Sequence, residues 1–137
     1  MTRLLLAAPL LLAAGCTTAS APYAPVSDVA WQAMGWNPGW QLAIGDDRIV
    51  LRTADHGERA WPRTLPRTVN GVRTWESGSG ADGITITAQP GPCQSPAQAE
   101  NRYVQNYEHH VAVSVGAGGT EELRGCGGRL VERVEVR

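Results

Sequence analysis

The chain contains no lysine and no phenylalanine, and each absence excludes something. A phosphate-cradling loop needs a lysine ahead of a helix, and neither is found beside the glycine-rich stretch Gly78-Ser79-Gly80. All 12 basic residues are arginine, as codon bias in a GC-rich genome produces. They are balanced by 13 acidic ones, so nucleic acid and anionic surfaces are poor partners. Without phenylalanine, the five tryptophans must supply the aromatic packing of the core. No G-x-S-x-G elbow, no C-x-x-C pair and no Ser-Gly-x-x-Tyr motif occurs.

Further candidate chemistry fails on spacing. His109 and His110 are neighbours on a predicted strand and point to opposite faces, so they cannot readily share one metal. His56 beside Asp55 offers two ligands in a row, which is weak support for a metal site. A nucleophilic serine needs a histidine and an orienting acid in reach; Ser77 and Ser79 lie in a Gly-rich loop without the G-x-S-x-G elbow. The pairs Glu121-Glu122 and Glu132/Glu135 suit solvated faces better than glycoside chemistry. The expectation is a protein without catalytic residues, metal or cofactor.

What is present begins at the N-terminus. Arg3 is followed by an apolar run, Leu4 to Ala14, broken only by Pro9. It has the length of a secretory signal and is too short to span a bilayer. It ends in Leu12-Ala13-Ala14-Gly15-Cys16, which resembles a bacterial lipobox. The resemblance implies a diacylglyceryl thioether on Cys16, cleavage after Gly15 and an acylated Cys16 as the new N-terminus. Ala13 stands where the motif usually has leucine. Two or more acyl chains make a stable anchor, since each buried CH₂ contributes about 0.8 kcal/mol and one chain alone is marginal. Thr17 replaces the aspartate that commonly retains such proteins in the inner membrane, which favours the outer membrane.

Three segments follow: residues 1–15 as signal peptide, 16–27 as lipidated Cys16 plus a Pro-containing flexible tether, and 28–137 as one β domain. Cys16 is consumed by the anchor, which leaves Cys93 and Cys126 as an even pair in an exported protein. An oxidising envelope favours a disulfide between them, closing a loop of roughly 30 residues.

Strand signals recur along the domain. Val29–Met34 is followed by the Gly- and Pro-containing segment 35–40. Trp40, Leu42 and Ile44 then alternate on one face. Gly45-Asp46-Asp47 turns the chain into Arg48–Thr53, and 54–63 reads as a loop. Asn70-Gly71 between Arg67–Val69 and Val72–Trp75 is the strongest hairpin signal. Ile84–Ala88 alternates, and Pro90-Gly91-Pro92 breaks the sheet. Ser95-Pro96-Ala97-Gln98 has helix-start chemistry, which predicts a short helix to about Val104. His109–Val115 and Thr120–Arg124 pair about a glycine turn, with Leu130–Val136 as a last edge strand or frayed tail. The fold expected is mainly β: a small antiparallel barrel or sandwich of about eight strands with one short helix.

Residues 31–128 resemble a family of uncharacterised bacterial envelope lipoproteins. The resemblance rests on Trp31-Gln32-Ala33-Met34-Gly35-Trp36-Asn37-Pro38-Gly39-Trp40, Pro92-Cys93, Tyr107-Glu108 and Leu123-Arg124-Gly125-Cys126. That family carries aromatic-x-A-x-G-x-E-P-x-W, then a Cys after a strand, a Tyr-Pro-led strand and L-x-G-C. Asn37, Gly39 and Glu108 depart from the pattern. The resemblance implies fold and location, not activity.

The expected protein is therefore a lipid-anchored, non-enzymatic binding or interaction module of the outer membrane, facing the periplasm. Its partners would be the membrane, through the acyl chains, and an envelope protein, a hydrolase or peptidoglycan. The alternative is a structural or assembly component without a small-molecule ligand. Trp36 and Trp40 are the candidate ligand residues, against the plainer reading that such tryptophans are core.

Overall fold

A computed structural model describes residues 30–97, 103–116 and 121–135. Cys16 and the segments expected to be signal peptide and tether lie outside the described residues. The described chain forms one antiparallel sheet of nine strands in the order β4-β3-β2-β1-β9-β8-β7-β6-β5, not closed into a barrel. The strands are β1 Trp31–Trp36, β2 Gly39–Ile44, β3 Arg48–Thr53, β4 Gly57–Pro62, β5 Arg67–Val69, β6 Val72–Ser77, β7 Ile84–Gln94, β8 Tyr103–Val115 and β9 Glu121–Glu135. Among the described residues the only helix is one 3-10 turn, Gly80–Asp82. None is long and apolar enough to cross a membrane.

The turns follow the sequence closely. Trp36 faces Gly39 across a tight turn whose Asn37–Pro38 peptide is cis. Asn70 and Gly71 both have positive φ, at 49° and 79°, as a type I′ hairpin requires.

Two meanders, β1–β4 and β5–β9, join where β1 pairs with β9. The edge strands β4 and β5 are nevertheless consecutive, linked only by the four residues Arg63–Pro66. Nine flat strands would hold those edges nearly 40 Å apart, at about 4.8 Å per spacing. Five extended steps from Pro62 to Arg67 reach no more than about 18 Å. The sheet must therefore curl until its ends approach. Side chains bridge the gap: Ser77 Oγ donates to the Pro62 carbonyl at 2.6 Å, and Trp61 Nε1 donates to the Asp82 carbonyl.

The concave face of the curl holds the main core. Trp40, Leu42, Ile44, Ile49, Leu51, Trp61, Trp75, Ile84, Ile86, Val111, Val113 and Leu123 are all buried there. The strands alternate as the period-two pattern demands. A second cluster joins Cys93, Tyr107 and Cys126 to Met34 and Trp36, which alternate along β1 with the core residue Ala33 and with Gly35.

Four expectations change. The 54–63 stretch contains β4. Pro90-Gly91-Pro92 does not end a strand; β7 runs on to Gln94 through a bulge between Pro90 and Cys93, where the missing proline N–H groups need no partner. The helix expected over 95–104 is absent at both described ends. Ser95 instead extends the β7–β8 hairpin, its N–H donating to the Gln105 carbonyl and its Oγ accepting from the Gln105 N–H. Residues 98–102 lie outside the described part. Finally, residues 121–124 and 130–135 of the two expected segments belong to one 15-residue strand, β9.

Candidate functional site

Five tryptophans divide into two groups. Trp40, Trp61 and Trp75 are core, 3%, 7% and 4% exposed. Trp31 and Trp36 are half-buried. The two residues of the expected ligand pair thus differ in exposure. Gly35 faces Trp40 and Trp36 faces Gly39, so the pleat sends the two indoles to opposite faces of the hairpin. Trp40 lies against Gly35 and Gly125 and donates its Nε1–H to the Arg124 carbonyl at 3.2 Å. At 3% exposure it is chiefly packing.

Trp36 has different surroundings. Its ring lies 6.4 Å from that of Tyr107, centre to centre, and packs on the cluster that contains the Cys93–Cys126 disulfide. The disulfide links β7 to β9 with a Cα–Cα distance of 5.5 Å, although β8 runs between those strands. Pairing slips on both sides of β8 at this level, which lets the two ends approach. Tyr107 donates its hydroxyl to Gln105 Oε1 at 2.8 Å, with Met34 Sδ at 3.6 Å. Burial raises the phenol above its ordinary value, and the nearby charge of Arg133 partly offsets that.

In front of Trp36 the outer face carries a polar row. The registers place Met34, Gln41, Arg52 and Glu58 side by side across β1 to β4. Arg52 Nε donates to Glu58 Oε2 at 2.7 Å, which orients the guanidinium. Trp36 and Trp40 both border a concavity of about 330 Å³, together with Met34, Gln41, Arg52 and Thr53. One half-open indole thus stands beside a planar amide and a planar guanidinium.

A second concavity, of about 340 Å³, lies at the start of β1, lined by Trp31, Gln32, Arg73, Glu108 and Arg129 among others. Trp31 stacks on Trp75 at 5.0 Å and meets His109 edge-on at 6.3 Å. Glu108 accepts from the Arg129 backbone N–H at 3.2 Å and from its Nε at 3.0 Å. Those bonds, the Arg129 charge and His109 hold the Glu108 carboxyl below its ordinary range against partial desolvation.

The other sequence candidates are dispersed. His110 is exposed beside Gly91, on the opposite side of β8 from His109. His56 is exposed in the β3–β4 turn. Ser77 is spent on Pro62, while Glu121 and Glu122 face Arg59 and Arg124. No group of three or more His, Cys, Asp or Glu gathers among the described residues.

Gln41 and Arg52 were not singled out from the sequence. They occupy the polar alternates of β2 and β3, and their register about the Gly45-Asp46-Asp47 turn was the available signal. Searches against protein-family models, curated proteins and solved structures return no match to the chain.

Proposed function

We propose that this protein is a lipid-anchored, non-enzymatic binding module of the bacterial envelope, held by acyl chains on Cys16 in the outer membrane and facing the periplasm. The observation that carries the binding role is Trp36, half-open and braced from behind by Tyr107 and the disulfide, beside Gln41 and Arg52. An indole face stacks on the C–H face of a sugar ring, while flat amide and guanidinium groups donate to its hydroxyls. A brace that fixes the aromatic before binding lowers the ordering cost. The ligand best matched is cell-wall glycan.

The test is sedimentation of the full chain with purified peptidoglycan sacculi. Wild type should pellet with the sacculi, and Trp36→Ala should remain in the supernatant with an unchanged melting temperature. Undiminished pelleting of Trp36→Ala would overturn the glycan reading. The anchor is tested separately: labelled palmitate should enter the wild type and not Cys16→Ala.

A role in envelope assembly is the second reading. The outer edge of β9 beyond Gly127, which pairs with no strand among the described residues, favours it, because such an edge is a docking surface for another strand.

A further inference from the structure

The pairing of β1 with β9 ends at Ala33–Gly127, so no ladder joins the start of β1 to the rest of β9. The concavity of about 340 Å³ at the start of β1 opens between them. A slip of register builds its wall. Between the pairs Tyr107–Leu130 and His109–Gly127, the single residue Glu108 on β8 stands opposite two on β9, Gly128 and Arg129. A bulge of this kind re-aims a side chain. Gly128 takes a φ of 81°, and a Cβ there would meet His109 Nδ1 at 2.7 Å and Glu108 Oε2 at 3.1 Å. With that space clear, Glu108 accepts from the Arg129 backbone N–H through Oε2 and from Arg129 Nε through Oε1. Both carboxylate oxygens are thus used, while the Arg129 side chain is still 81% exposed. Arg73, from β6, borders the same opening, and its side chain has no ion pair or hydrogen bond among the described residues. The charged side chains around the opening are therefore two guanidiniums and one carboxylate, and the carboxylate is spent on Arg129. One positive charge is left over. In the Trp36 concavity, by contrast, Arg52 is matched by Glu58.

We propose that this opening is a second binding site and that it takes a carboxylate attached to a compact ring or apolar body. A carboxylate is planar and accepts two parallel hydrogen bonds from a guanidinium, and Arg73 has its donors free. Its single charge equals the one left over. A phosphate would bring a second charge to a wall that already holds Glu108. The body behind the carboxylate rests on Trp31, whose indole is fixed by stacking on Trp75 at 5.0 Å and supplies apolar contact. The two concavities share no residue and lie toward opposite ends of β1. The inference therefore stands apart from the glycan reading of Trp36. Two sources offer this chemistry: an acid-bearing sugar and the free C-terminal end of a peptide.

The test follows the indole N–H signals of the isotope-labelled full chain in detergent by NMR, with Trp31→Tyr identifying the Trp31 signal. N-acetylmuramic acid and acetyl-D-alanyl-D-alanine present the carboxylate on a sugar and on a peptide. N-acetylglucosamine and the C-terminal amide of the same peptide are the counterparts without it. At least one acid should shift the Trp31 signal saturably while its neutral counterpart does not, and the acid that does so names the source. Arg73→Gln, with an unchanged melting temperature, should weaken that binding by about tenfold, as loss of a hydrogen-bonded charge pair does. Arg124→Gln removes an equal charge that does not border the opening and should leave the binding as it was. No saturable shift with either acid, an equal shift with the neutral counterparts, or affinity indifferent to Arg73→Gln overturns the proposal. So does stronger displacement of the acid by inorganic phosphate than by acetate at equal ionic strength, which would make the opening a phosphate site.

Discussion

At the scale of single residues, the fold is tightest where tryptophan meets glycine. A Cβ built on Gly35 would meet Trp40 Cε2 at 2.6 Å and the Arg124 carbonyl oxygen at 2.7 Å. One on Gly125 would press the Met34 carbonyl and come within 2.8 Å of Trp40 Cζ2. The indole of Trp40 thus fits only because both strands beneath it lack side chains at those points. Gly125→Ala cannot be absorbed by a side-chain shift, since the obstructing group includes backbone of β1. It should cost about 1–3 kcal/mol in denaturant unfolding, the range of an overpacked core. Gly39→Ala is the control, because nothing lies within 4 Å of its Cβ position; a surface change of that kind stays within about 0.5 kcal/mol. Equal midpoints for the two variants would show that the β1–β9 seam has slack. Trp36 is the contrasting residue. It is placed by the same hairpin but rests on the outer cluster, so its truncation should affect binding more than stability.

At the scale of elements, the hairpins were legible because their turns demand particular chemistry. Asn70-Gly71 fixes a two-residue turn, and the alternation of Trp40, Leu42 and Ile44 fixes a buried face. What misled was local chemistry with two uses. The Ser95 hydroxyl that can cap a helix accepts from Gln105 N–H instead and prolongs β7 against β8. Pro90 and Pro92 sit in a bulge, which tolerates residues without an N–H. β4 was hidden because its one buried side chain, Trp61, is followed by Pro62 and preceded by Glu58 and Arg59. The candidate site was partly legible: Trp36 lies in a recognisable segment, but its polar neighbours come from β2 and β3 through a register no single segment reveals. The β8–β9 hairpin offers an element-scale test. Glu108 on β8 is tied to Arg129 on β9 first through its backbone N–H, and its carboxyl is held below the ordinary 4.5. A depressed folded-state value means stability fully present above the unfolded value and lost as pH falls through the folded one. Glu108→Gln should therefore lower the melting temperature at pH 7, with the gap to wild type closing as pH falls below 4.5. A gap independent of pH would mean that the ion pair contributes nothing beyond packing.

At the scale of the whole molecule, the two meanders meet along two seams with different fastenings. One is the short β1–β9 pairing, backed on the concave side by Trp40 and on the outer side by the cluster around the disulfide. The other lies between the sheet ends, where Ser77 reaches Pro62 and Trp61 reaches Asp82 without a strand ladder. The disulfide lies wholly within the second meander, yet it is packed against Met34 and Trp36 of the first. Its removal therefore has a general and a local consequence. The general one is chain entropy: freeing a loop with a sequence separation of 33 residues costs about 3–4 kcal/mol in the loop-closure account. The local one is loss of the surface on which Trp36 rests. Replacing both Cys93 and Cys126 by Ala should lower the denaturant midpoint accordingly. Under conditions where the variant is still folded, it should also weaken pelleting with sacculi, because the indole no longer has a fixed support. The two effects separate in a comparison with Gly125→Ala, which destabilises the β1–β9 seam while leaving the disulfide in place. If both variants are folded and only the one without the disulfide loses binding, the disulfide acts by positioning Trp36. If both retain binding equally, the ledge is held by β1 alone.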